Sequence, residues 1–185
     1  MKRERAAYSM VEMLVVLLVA GILASIAVPN MRTIIATAQL NSAVSDLFGA
    51  IGLARSQAIA RGSRVQLVPL EPGGARWREG WVVFVDADGD RRPSPGEEII
   101  ASHGPLPAGM EVSFNFTSNR APLYVAFNGN GRSCSDTSSL AARWGTFSLY
   151  QARQIRRIRI NMLGRARVCN PSRDGSSCAG DAEGA

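Results

Sequence analysis

The chain has 185 residues, 46% of them hydrophobic, and a formal charge of +6. That length suits one long helix and one small folded domain. A single histidine, no Cys-x-x-Cys pair and no Gly-x-Ser-x-Gly elbow argue against a zinc centre and against Ser/His/Asp catalysis, so neither an enzyme nor a cofactor is expected.

The first seven residues, MKRERAA, form a short basic leader. Residues 8–28 follow, and from Met13 to Val28 they carry no charge. As a helix these 21 residues reach roughly 31 Å, the thickness of a bilayer's hydrocarbon core. We expect them to span a membrane, and expect no other stretch to do so. Basic residues ahead of the span keep the N-terminus cytoplasmic and send the remainder across. Glu12 is the anomaly, because a carboxylate in the bilayer costs about 2.5–3.5 kcal/mol and needs a partner or a place in the headgroups. An ordinary signal peptide would be cut after the apolar run, where Ser25-Ile26-Ala27 offers only a weak cleavage pattern.

Beyond Pro29 the helical pattern resumes. Val44, Leu47, Phe48, Ile51, Ala54 and Ala58 make an apolar stripe. Pro29 should bend or loosen one long helix rather than end it, and Arg61-Gly62 is a reasonable stop. The organisation is thus a leader at 1–7, a helix at 8–62, a β-rich domain at 63–169 and a loose tail at 170–185. Strands are expected at Arg64–Leu70, Gly80–Val85, Glu98–Ser102, Met110–Phe116, Leu123–Phe127, Thr146–Tyr150, Gln154–Asn161 and Arg165–Cys169. Gly- and Pro-rich turn clusters separate them. Asp86, Asp88, Asp90 and Glu97 match calcium-loop spacing, but Arg91 replaces the mid-loop glycine, so a hairpin turn is the better reading and no metal site is expected. Trp77, Trp81 and Trp144 read as core or sheet-surface aromatics, one of which could stack on a base. His103, beside Gly104-Pro105, reads as a loop residue. Export would allow a disulfide, and Cys134, Cys169 and Cys178 offer three pairings among which the sequence does not choose.

The sharpest feature is basic. From Thr137 to Arg173 there are eight arginines and no acidic residue. Within it Ile158, Ile160 and Met162 alternate with Arg157, Arg159 and Asn161. A three-residue loop, Met162-Leu163-Gly164, would set Asn161 opposite Arg165 and Arg159 opposite Arg167, with Gly164 left-handed. Opposed arginines repel, so an anion between them would be welcome.

Ala7, Tyr8-Ser9-Met10-Val11-Glu12 and the apolar run resemble the N-terminus of type IV pilin-like proteins, with Ala7 in place of the usual glycine. The stretch ArgSerGlnAlaIleAlaArgGly, GlyTrpValValPheValAspAlaAsp and a late GlyArgAlaArgVal resemble the FimT/GspH group of minor pilins and pseudopilins within that family. The resemblance implies an α+β type IV pilin fold, a long helix packed on antiparallel β-sheet. It implies cleavage between Ala7 and Tyr8 by a prepilin peptidase, N-methylation of Tyr8, and Glu12 facing a neighbouring subunit's amine during assembly. The protein would be single-pass in the inner membrane with a periplasmic C-terminal domain, then part of a pilus with other pilins. A Gly-Arg-x-Arg motif is associated in FimT-like pilins with DNA uptake in natural transformation. Here that motif is Gly164, Arg165 and Arg167, with Arg156, Arg157 and Arg159 beside it as expected DNA-binding residues. The alternative is a structural role as a GspH-type pseudopilin of a type II secretion system or a priming minor pilin.

Overall fold

The computed structural model describes residues 9–178. Ala7 and Tyr8 lie outside them. Helix α1 runs Met10–Arg61 and passes Pro29 without a break. Ser9 caps its start: the side-chain oxygen accepts from the Glu12 N–H at 3.2 Å. Gly62, left-handed at φ 63°, closes its end and donates to the Ile59 carbonyl at 3.2 Å, as the Arg61-Gly62 signal predicts.

The chain divides into two units, one up to Ala38 and one from Gln39. In the first, Leu14, Leu17, Leu18 and Leu23 are exposed, an apolar array that water does not tolerate and lipid does. The second half of α1 corrects an expectation. Met31–Arg61 is also long and apolar enough to span by composition alone, with 28% of its most apolar window buried within the protein. That burial belongs to the stripe Leu40, Ala43, Val44, Leu47, Ile51, Ala54 and Ala58, which packs into the domain core. Phe48 falls off this stripe and is 39% exposed.

Among the described residues the domain holds nine strands: β1 Val65–Pro69, β2 Trp81–Phe84, β3 Ile99–His103, β4 Met110–Phe116, β5 Val125–Phe127, β6 Ser133–Cys134, β7 Gly145–Gln151, β8 Gln154–Ile160 and β9 Ala166–Cys169. They form two antiparallel sheets, ordered β3-β2-β1-β5-β6 and β4-β7-β8-β9. The α1 stripe, Val65, Leu67 and Phe127 of the first sheet and Phe147, Leu149 and Ile158 of the second share one core. Each fully buried Leu or Ile there contributes about 2 kcal/mol. Trp77 stacks on Phe114 at 5.5 Å and meets Phe147 edge-on at 4.7 Å, while Trp81 stacks on His103 at 4.2 Å. These two tryptophans are therefore core. His103 is on strand β3 rather than in a loop.

The tail departs from expectation up to Cys178. Asn170 caps a single turn, α2 Pro171–Asp174, and a 3-10 turn follows at Gly175–Cys178. Cys178 is buried and bonded to Cys169, leaving Cys134 as a buried free thiol.

Candidate nucleic-acid interface

Strand β8 alternates as its sequence predicts. Ile158 and Ile160 are buried in the core, and the opposite face carries Arg157 and Arg159. The β8–β9 register is the three-residue-loop one: Arg159 lies opposite Arg167, and the Asn161 N–H donates to the Arg165 carbonyl at 3.1 Å. Asn161 shapes the turn, its Oδ1 accepting from the Leu163 and Arg165 N–H groups at 3.0 and 2.9 Å. Gly164 takes φ 76°, and its backbone lies so close to the Gly131 carbonyl that a Cβ would stand 2.2 Å from that oxygen. Only glycine allows both.

Cross-strand rows organise the face. One row is Asn115, Thr146, Arg159 and Arg167 across β4, β7, β8 and β9. The next is Ser113, Ser148, Arg157 and Cys169. The tail covers this second row. Arg157 is only 5% exposed and donates through Nη1 to the Cys178 carbonyl at 2.8 Å. The expected surface role of Arg157 is thus corrected: it anchors the tail. Arg156 is also off this face. By strand alternation it shares the side of Ile158, and its Nη1 donates to the adjacent Ile155 carbonyl at 2.9 Å.

Arg159, Arg165 and Arg167 are the arginines that the hairpin brings together. The Ser177 carbonyl bridges two of them, accepting from Arg159 Nη1 at 2.9 Å and Arg167 Nη2 at 2.6 Å. One neutral oxygen holds two like charges side by side, which leaves the pair undercompensated. Arg165 and Arg167 are exposed. Between the hairpin and Trp144 lies a pocket of about 440 Å³, lined by these three arginines, Asn161 and Met162 among others. The part played by the Ser177 carbonyl was not read from the sequence. Its signal was the Asn170-Pro171 helix start between two cysteines nine residues apart.

The acidic stretch after β2 behaves as a turn. Asp86 accepts from the Gly89 and Arg91 N–H groups at 2.7 and 3.2 Å and from Gln66 Nε2 at 2.5 Å. Burial raises its carboxyl above the ordinary range. Asp86, Asp88 and Glu97 offer oxygens within 4.8 Å of one another, but backbone donors of the same loop occupy them: Glu97 accepts from Ala87 and Ser94, and Asp88 from Asp90. Glu12, the expected assembly residue, stands exposed in the first turn of α1.

Residues 43–164 match the family described as Type II transport protein GspH. Among solved structures, the type IV minor pilin FimU of Pseudomonas aeruginosa is similar at 20% identity and a TM-score of 0.57, over 77% of this chain and 97% of that one. A second crystal form of FimU aligns at 21% identity and a TM-score of 0.55, over 76% and 100%. The minor pseudopilin EpsH of the Type 2 Secretion System of Vibrio cholerae aligns at 13% and 0.50, over 72% and 98%. At these identities the likeness establishes the fold. No curated protein matches the chain by sequence.

Proposed function

From the premise that the chain belongs to the GspH family of pilin-like proteins, we propose that it is a minor type IV pilin of the FimT kind whose β8–β9 hairpin binds DNA phosphates for uptake in natural transformation. The supporting observation is the cross-strand pair Arg159 and Arg167 beside exposed Arg165, in a stretch of 37 residues without a carboxylate. Guanidinium forks suit phosphate, and contacts of this kind are independent of base sequence and sensitive to salt.

The test is a salt titration of duplex binding by the full chain in non-ionic detergent. Changing Arg165 and Arg167 together to Ala should weaken binding and flatten the slope of log K against log salt by up to about two units. An unchanged slope would remove the assigned role. The family description and the likeness to EpsH favour one other reading, a pseudopilin whose arginines face neighbouring subunits; it predicts no duplex binding at physiological salt. Either reading uses the same anchor. We take processing by a prepilin peptidase to fall between Ala7 and Tyr8, with Tyr8 N-methylated and Glu12 paired to a neighbour's amine in the filament. The intact mass of the cellular protein checks this. It should correspond to a chain beginning at methylated Tyr8, and a mass that retains the leader would contradict it.

A further inference from the structure

We propose that Trp144 is a stacking platform for an unpaired base, so that the arginine pocket is a site for single-stranded nucleic acid; this rests on the nucleic-acid reading above. Three observations meet here. Trp77 and Trp81 are 1% and 2% exposed, whereas Trp144 leaves 41% of its surface open. A half-open indole offers a flat apolar face on which a base can stack. Trp144 lies two residues before Thr146, and Thr146 is in the row of Arg159 and Arg167, so strand alternation points the indole to the arginine side of the sheet. The Trp144 carbonyl accepts from the Thr117 N–H at 3.0 Å, which continues the β4–β7 ladder and fixes the backbone beneath the ring.

The pocket between them is the size of a small-ligand site and combines an aromatic wall with three guanidinium groups. A duplex carries its phosphates outside and its bases stacked within. It can touch the arginines but cannot fill the space beside the indole. A single strand can do both at once, with phosphate on Arg159, Arg165 or Arg167 and a base against Trp144. The Asn161 Oδ1 is spent on the Leu163 and Arg165 amides, so that acceptor is not free to read a base edge. The site should accept any base that stacks.

The experiment compares three ligands of equal length on the full chain in non-ionic detergent: a mixed-sequence single strand, an abasic single strand with the same phosphates, and the corresponding duplex as a reference for the arginine contacts alone. Wild type should bind the base-bearing strand roughly ten-fold or more tighter than the abasic one. Trp144→Ala should erase that difference and leave duplex affinity unchanged, while Trp144→Phe should keep most of it. Quenching of indole fluorescence on binding the single strand should vanish in Trp144→Ala, since the other two tryptophans are buried. If the base-bearing and abasic strands bind equally and the double change at Arg165 and Arg167 still weakens both, the arginine reading stands and the platform falls. If none binds, both fall.

Discussion

Asp136 shows how a single carboxylate organises the edge of the first sheet. It is 6% exposed and accepts from Tyr124 Oη at 2.7 Å, Arg91 Nε at 2.5 Å and Ser135 Oγ at 2.9 Å. Burial alone would raise its pKa. The three hydrogen bonds and the Arg91 charge more than offset this and lower it from 3.8 to about 2. Arg91 adopts φ 63° and places its guanidinium over the Tyr124 ring at 4.6 Å; Arg143 lies over the same ring at 5.1 Å and donates to its hydroxyl. A carboxyl depressed in the folded state contributes stability that is complete above about pH 5 and is lost as pH falls through 3.8 towards about 2. The contribution is about 2 kcal/mol. Urea midpoints measured between pH 2 and pH 5 should therefore fall in wild type, while Asp136→Asn should start lower and lack that segment. Parallel curves would show that the network does not depend on the charge.

At the scale of elements, the tail turn decides how the arginines of β8 and β9 are held. The Cys169–Cys178 bond closes a short loop whose carbonyls at Ser177 and Cys178 take up Arg157, Arg159 and Arg167. Chain-entropy arithmetic for a loop of this length gives about 2–3 kcal/mol. Cys178→Ala should lower stability by up to that amount in chemical denaturation, and a loss below a few tenths would mean that the turn holds without its bond. The elements themselves were largely legible. Period-two runs such as Gln154–Ile160 announce strands, and Gly164 in a three-residue loop fixes register. What composition could not resolve was use. Arg143, Arg156 and Arg157 count equally with Arg165 in an arginine-rich stretch. Only packing reveals that Arg143 lies over a tyrosine, that Arg156 is off the face and that Arg157 is sealed under the tail. The disulfide pairing and the two-residue strand β6 were beyond reach because they depend on contacts distant in sequence.

Across the whole chain, charge is segregated. Seven of the 15 acidic residues fall in residues 71–98, between β1 and β3, while the acid-free stretch supplies most of the second sheet. Such a split steers a polyanion to one sheet and away from the other. The exposed apolar part of α1 separately calls for a lipid or a neighbouring helix, which fits a subunit held in a membrane until it joins a filament. Whether DNA lies on the β8–β9 hairpin can be read by photo-crosslinking a phosphate-derivatised strand to the full chain and locating the attachment sites by mass spectrometry. Crosslinks are expected at Trp144 and in the segments holding Arg159, Arg165 and Arg167. Crosslinks concentrated at Arg76, Arg78 and Arg92 on the acidic side, with none on the hairpin, would contradict that placement.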